Sequence, residues 1–289
     1  MNNHSILTLG TVQDGGFPHI GCNLECCNRV RLNPIHSRLV SSISILDNIN
    51  SHAWIIDVSP DIAKQISILM EYIPNLNYPY LSGVFLTHAH IGHYMGLLYF
   101  GLEALNLKNI PIYVLPRMKE FLYQNSMFYQ MIESKNIIIK ELKNNSKIQL
   151  NEILELQPFF VPHRNELSET VGYKIIGENN SVIYLPDIDS WSDWDVSLID
   201  IIKDNDIVII DGTFFSKNEI VGRNINKIPH PTIMQSMNLT NQISLKDKNK
   251  IFFTHLNHTN KVLNSGSQEY KKVITSGYNI LEDGKIFNL

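Results

Sequence analysis

At 289 residues, 44% hydrophobic and 18% charged, the chain has enough apolar mass for a large buried core and no composition that would leave it disordered. A formal net charge of -4 argues against a broadly basic nucleic-acid surface, so a nucleic-acid partner is not expected. No apolar run approaches the roughly 18 residues that cross a bilayer. The N-terminus leads directly into a strand-like Ser5-Ile6-Leu7-Thr8-Leu9, and the expectation is a cytoplasmic protein with no membrane partner.

After this first strand, Gly10-Thr11-Val12-Gln13-Asp14-Gly15-Gly16-Phe17-Pro18 reads as a glycine-rich loop built for close approach. Cys22, Cys26 and Cys27 follow, and the chain has no other cysteine to pair with them. Adjacent Cys26 and Cys27 make a poor disulfide, so a metal or free thiols are favoured over a disulfide framework. His52 to Val58 reads as a strand ending near Asp57, and Ser59-Pro60-Asp61 opens a helix that runs to about Tyr72, with an N-cap and a proline in the first turn.

Val84-Phe85-Leu86 is a short buried strand, and it feeds Thr87-His88-Ala89-His90-Ile91-Gly92-His93. Tyr94, Leu97, Leu98, Gly101, Leu102 and Leu105 recur at helical spacing, which predicts a helix from Tyr94 to Leu107. In an extended segment His88 and His90 project to one side, and His93 enters from the first helical turn. Three imidazoles crowded on one loop gain little from packing and point to a metal site.

Ile112-Tyr113-Val114 is another strand, followed by a helix from about Pro116. Between Asn136 and Ile183 the pattern changes to short runs that read as antiparallel strands: Ile137 to Lys140, Ile148 to Leu150, Ile153 to Phe160, Val171 to Ile176 and Ser181 to Leu185. Two end on Pro162-His163-Arg164 and Leu185-Pro186-Asp187. Ile207 to Ile210 ends at Asp211, and Ile251 to Thr254 ends in His255-Leu256-Asn257-His258. Strand ends are where layered α/β proteins place function. A centre made of His88, His90, His93, His163, Asp187 and His255 offers nitrogen and oxygen ligands that suit Zn, Fe or Mn.

Thr-His-x-His-x-x-His with downstream His, Asp and His resembles the metallo-β-lactamase fold superfamily. That resemblance implies an α/β fold, a four-layer αββα sandwich, here as a single domain over 1–289. Gly10-Thr11 to Cys22, the histidine loop, Pro162-His163-Arg164, and His255-Leu256-Asn257 with Thr259-Asn260 are similar to the branch containing the pyrroloquinoline-quinone biosynthesis protein B, nearly end to end. Carried over, His88, His90 and His163 hold a first metal, Asp187 bridges, and His93 with His255 completes a second position. Asp57 matches the superfamily's strand-end Asp and supports the loop by hydrogen bonding. The pattern usually has Asp immediately before the third His; Gly92 stands there and has no side chain to bind anything, which weakens the second position.

The cysteines resemble those of phosphodiesterases of phosphonate metabolism, which close a cysteine-rich loop on a structural zinc with a His three residues beyond the last active-site His. On that resemblance a loop at about 19–31 supplies Cys22, Cys26 and Cys27, with His258 completing Cys₃His. Leu24 occupies one of the expected cysteine positions and Cys26 replaces it.

The activity so implied is metal-dependent hydrolysis of a small anionic ester or phosphodiester by metal-activated water. Asp187 would orient the water and take its proton, while His230 and Arg164 would contact an anionic substrate or leaving group. Loops Asn165 to Thr170 and Phe214 to Pro231 would form the pocket walls. The alternatives are an iron- and oxygen-dependent oxidoreductase like the quinone-cofactor relatives, and a non-catalytic small-molecule binder. A homodimer is left open.

Overall fold

Apolar residues occupy both faces of the central strands, and a sheet with two apolar faces must be covered on both. The computed structural model describes residues 3–73, 81–219 and 229–289. In strand β1 (His4–Gly10), Ile6 packs toward one core and Leu7 and Leu9 toward another. The same alternation recurs in the strands that follow: β2 (Ser42–Asp47), β3 (His52–Ile56), β4 (Gly83–Phe85), β5 (Ile110–Val114) and β6 (Ile137–Glu141) complete the first sheet. A second sheet holds β7 (Ile148–Gln149), β8 (Glu155–Phe160), β9 (Val171–Ile176), β10 (Ser181–Leu185), β11 (Ile207–Asp211), β12 (Ile251–Thr254) and β13 (Asn279–Ile280). Finally β14 (Ile286–Asn288) returns to pair antiparallel with β1.

Helix α1 (Glu25–Leu32) follows β1, α2 (Ile62–Tyr72) follows β3, and the single turn α3 (Ile91–Tyr94) follows β4. After β5 come α4 (Pro116–Gln124) and α5 (Ser126–Glu133). Then α6 (Leu198–Lys203) follows β10, α7 (Ile233–Leu239) and α8 (Leu245–Lys248) follow β11, and α9 (Gln268–Thr275) follows β12. Trp54, Ile56, Phe85, Tyr173, Tyr184 and Ile209 fill the space between the sheets. Ile62, Ile66 and Leu69 of α2, with Met118 and Leu122 of α4, cover the outer face of the first sheet. Leu198, Ile202, Ile233 and Val273 cover that of the second. The order of layers is therefore helix, sheet, sheet, helix, as expected. Among the described residues no helix is long and apolar enough to cross a membrane.

Three features differ from the expectation. The strand at 137–141 pairs parallel with β5 and belongs to the first sheet, because a short apolar run does not encode its direction. The helix expected from Tyr94 to Leu107 is one α-turn followed by a 3₁₀ run ending at Phe100. The cause is close approach: Gly96 N–H bonds to Val58 O at 2.9 Å, and a Cβ on Gly96 would lie 2.2 Å from Ser59 O. Gly101 is then extended, which ends the run. The cysteine segment is also not a loop throughout, since Cys26 and Cys27 lie in the first turn of α1.

Candidate metal centre

Parallel neighbours β3 and β5 fix β4, so the loop after β4 emerges beside the loop after β3. Asp57, just past β3, has φ +65°, a left-handed conformation that turns its buried carboxylate back toward the histidine loop. It accepts hydrogen bonds from Thr87 N–H (2.8 Å) and Thr87 Oγ1, and lies 2.7 Å from His93 Nδ1. With Nδ1 so engaged, His93 presents Nε2 to the centre, the supporting arrangement anticipated for Asp57.

On one side of the centre, His90 Nδ1 is 2.8 Å from His88 Nε2 and 3.3 Å from His163 Nε2. Ligand atoms around a metal with bonds near 2.1 Å lie about 3.0–3.4 Å apart, so the three converge at coordinating distance. Asp189, which carried no role in the sequence reading, sits 2.8 Å from His163 Nδ1 and orients that ring. Burial, with His93 beside it, pushes His88 well below the ordinary imidazole range, and burial with His163 and Arg164 takes His90 down to about 4. Both are neutral at physiological pH, the form that ligates.

Asp187, beyond β10, spans the centre: Oδ1 is 3.7 Å from His163 Nε2 and Oδ2 is 3.3 Å from His93 Nε2. Burial alone would raise its carboxyl; the His255 and His93 imidazoles reverse this and hold it well below the usual range. A carboxylate held ionised is the form that ligates a metal. His255, at φ +57° just past β12, lies 3.4 Å from Asp187 Oδ1 through Nδ1. Asp14, unmarked by any spacing pattern, brings Oδ1 to 3.8 Å from His93 Nε2 and 3.9 Å from His255 Nε2.

The residues fit a bound cation. Asp14 Oδ1, His93 Nε2, Asp187 Oδ2 and His255 Nε2 are buried and make no hydrogen bond among the described residues. Burial would lower His93, yet the carboxylates of Asp57 and Asp187 raise it to about 9. The same concentration of buried carboxylates suits a divalent cation.

Arg164 reaches the first side, with Nη2 3.4 Å from His90 Nδ1. His230 is buried, its ring 5.4 Å from that of His163 and 5.9 Å from that of His255. Its Nδ1 lies 2.6 Å from Asp211 Oδ2, leaving Nε2 as its free edge. Burial opposes protonation of His230, but the Asp211 carboxylate outweighs it and raises the imidazole above its ordinary value. The sequence placed Asp211 at a strand end without seeing this pairing. An open groove of about 510 Å³ runs past His163, lined by Phe160, Asn165, Glu169, Thr170 and Trp194, so the anticipated Asn165–Thr170 wall is in place. Of the other wall, Phe214 to Pro231, residues 220–228 lie outside the described residues, Ile228 of Ile228-Pro229-His230-Pro231 among them.

Away from this centre the cysteines and His258 converge. Cys27 Sγ lies 3.5 Å from His258 Nδ1, Cys26 Sγ lies 3.9 Å from it, and the two sulfurs are 3.9 Å apart. Cys22 Sγ joins them within 4.8 Å. A tetrahedral zinc with Zn–S bonds near 2.3 Å spaces its sulfurs about 3.8 Å apart. Backbone N–H groups of His19 and Leu24 point at Cys27 Sγ (3.3 Å) and Cys22 Sγ (3.4 Å). Burial, with Cys22 and Cys26 beside it, pushes the Cys27 thiol up to about 12, as expected of crowded sulfurs.

The family model for the β-lactamase superfamily domain matches residues 52–256. Among curated relatives, the coenzyme PQQ synthesis protein B of Acinetobacter baumannii (strain ACICU) is 26% identical over 96% of this chain and 98% of its own. Among solved structures, Zn²⁺-bound PqqB from Methylobacterium extorquens matches with a TM-score of 0.80 and 22% identity, over 99% of this chain and 100% of that one. A diphosphatase from the PhnP family matches with a TM-score of 0.70 and 21% identity, over 99% and 97%. At such identities the structural likeness speaks for the fold. The match of the family model across both sheets and every candidate ligand from His88 to His255 places the chain in the β-lactamase superfamily, with the metallo-β-lactamase fold.

Proposed function

We propose that the chain is a metal-dependent hydrolase of a small anionic ester or phosphodiester, with a separate structural zinc held by Cys22, Cys26, Cys27 and His258. One observation carries this reading: imidazoles and carboxylate oxygens that make no hydrogen bond among the described residues converge on one centre, with a guanidinium on one side and a carboxylate-backed imidazole on the other. The metal, Zn with Fe or Mn as alternatives, would polarise the substrate oxygen and make water a competent nucleophile at neutral pH.

The chain's own residues then have distinct tasks. Arg164 binds the anionic group next to His90 and fixes its orientation through charge-assisted hydrogen bonds. His230, held by Asp211 through Nδ1, keeps a proton on Nε2 and gives it to the leaving oxygen. Asp187 ties the two halves of the centre together, and Asp57 and Asp189 lock the tautomers of His93 and His163. The groove beyond His163 accommodates the rest of the substrate.

The end-to-end likeness to proteins named for coenzyme PQQ synthesis supports a second reading, an iron- and oxygen-dependent oxidoreductase on the same ligands. Metal content by plasma mass spectrometry on protein purified without added metal separates the two, together with hydrolysis of bis(4-nitrophenyl) phosphate. Expected is zinc in the parent, less of it in both His90→Ala and Cys22→Ser, and hydrolysis abolished in His90→Ala. Iron lost only from His90→Ala, with oxygen consumption and no hydrolysis, would overturn the proposal in favour of the second reading.

A further inference from the structure

Gly92 leaves the histidine loop one carboxylate short of its superfamily pattern, and a different segment stands in the gap. A Cβ built on Gly92 would lie 2.1 Å from Asp14 Oδ1 and 2.9 Å from Asp14 Cγ. The Asp14 carboxylate thus occupies the volume into which a side chain at 92 would grow. A side chain at 92 would therefore require the Asp14 carboxylate to move from its present place.

The loop after β1 does not reach this place by chance. Gln13 N–H donates to Leu256 O at 3.1 Å and Leu256 N–H donates to Thr11 O at 2.9 Å, so the chain leading into Asp14 is tied to the residue that follows His255. Asp14 is 37% exposed as a side chain, yet its Oδ1 is buried and faces inward. It shares the cavity with His93 Nε2, His255 Nε2 and Asp187 Oδ2, which like it make no hydrogen bond among the described residues. Buried polar atoms without a hydrogen bond are costly, and Asp14, His93 and His255 each bring one ligand atom within 4.8 Å of the others, as the seat of a cation requires.

We propose that Asp14 is a ligand of a second metal position, alongside His93, His255 and Asp187, supplying from the first-strand loop the carboxylate that Gly92 cannot. The inference rests on the metal-centre reading above and deepens it: the centre is dinuclear. Its donors, two imidazoles and two carboxylates, suit Zn²⁺, Mn²⁺ or Fe²⁺. The separations of 3.3, 3.8 and 3.9 Å need to close by only a few tenths of an ångström around bonds near 2.1 Å.

The test is Co²⁺ and Zn²⁺ titration of metal-stripped full-length protein, followed by d–d absorption and by metal content after gel filtration, for the parent, Asp14→Asn, His90→Ala and the double variant Asp14→Gly/Gly92→Asp. The parent is expected to bind two equivalents beyond the cysteine site. In Asp14→Asn the second should weaken at least tenfold, since even an outer-sphere partner is worth that much, while the first changes by less than about twofold. Recovery of the second equivalent in the double variant would show that the two carboxylates serve one position. A second equivalent of unchanged affinity in Asp14→Asn would overturn the assignment, as would a single active-site equivalent in the parent, and either result leaves the metallohydrolase reading standing. A folded double variant that still lacks the second equivalent would overturn the equivalence of the two positions. If His90→Ala removes nothing that the parent binds, the metal-centre reading itself fails.

Discussion

Asp57→Asn should damage the metal centre more than the fold. Asparagine tolerates the left-handed backbone at φ +65° and can still accept the Thr87 N–H bond with its one amide oxygen. Its NH₂ group would then face His93 Nδ1, which the carboxylate now holds at 2.7 Å. To avoid donor against donor, His93 must keep Nδ1 as an acceptor and carry its proton on Nε2, the atom that faces the centre. The loss of one buried charged hydrogen bond costs about 1.5–3 kcal/mol, which in a protein of this size lowers the melting temperature by roughly 2–5 °C. The wrong tautomer should weaken the metal held by His93 about 10- to 100-fold. Cobalt titration with a thermal scan of the metal-free protein measures both. A second-site affinity within about twofold of the parent, with an unchanged melting temperature, would refute the claim that Asp57 sets the His93 tautomer.

The other predictions concern separate parts of the molecule. Cys27→Ser should lower the melting temperature of the zinc-loaded protein by about 5–10 °C, as loss of a ligand near 100-fold saturation would, and should abolish the further drop that a strong chelator causes in the parent, read by differential scanning fluorimetry. Asp211→Asn tests the proton donor. His230 lies above the ordinary imidazole value because the Asp211 carboxylate outweighs burial, so a rate that needs protonated His230 falls as pH rises through that raised value. Without the carboxylate, burial and Arg164 oppose only the weaker pull of Asp187, and the descending limb of the kcat/KM profile should move to lower pH; a limb that stays in place would remove His230 from this role. Arg164→Ala should raise KM for an anionic substrate about 10- to 100-fold, the worth of a charge-assisted hydrogen bond, with partial retention in Arg164→Lys; steady-state kinetics on a neutral ester should show little change.

Much of the centre was legible because its chemistry is concentrated. His88, His90 and His93 fall on one loop between a buried strand and an apolar segment, and His163, Asp187 and His255 each follow a strand that periodicity identifies. Asp14 escaped notice because a lone acid in a glycine-rich loop has no spacing to mark it, and its partners lie 79 and 241 residues further along the chain, at His93 and His255. Asp189 and Asp211 were equally silent, since a carboxylate that orients an imidazole differs from a surface acid only in what folds against it. The helix expected from Tyr94 shows the converse limit. The apolar periodicity is real, and it buries Leu97 and Phe100 in the core beside α2, but the close approach at Gly96 and the extended backbone at Gly101 override it. Strand β2, whose Ser42-Ile43-Ser44-Ile45 alternates in the proper period, was not singled out; its serines are buried as well, with Ser42 Oγ donating to Asp57 O just past β3 and Ser44 Oγ to Trp54 O within it.

Two left-handed turns of the backbone aim side chains at the centre. Asp57 and His255 are both non-glycine residues in the left-handed region, one immediately after β3 of the first sheet and the other immediately after β12 of the second. Each carries about 1–2 kcal/mol of conformational strain, and each is fixed by the rigid strand before it and by a threonine: Thr87 on Asp57, and Thr213 Oγ1, 3.1 Å from His255 Nδ1. Such strain persists only where the surroundings over-determine it. Here the surroundings are two sheets that share one core, so the half of the centre that hangs from β3 and β4 and the half that hangs from β10 and β12 are held against each other by Trp54, Phe85, Tyr173 and Tyr184. The turn at Asp57 aims the carboxylate that orients His93, and the turn at His255 aims an imidazole at Asp187 and Asp14. Relaxing either turn would separate the ligands of the two sheets, and the stability of the packed core is what keeps them together.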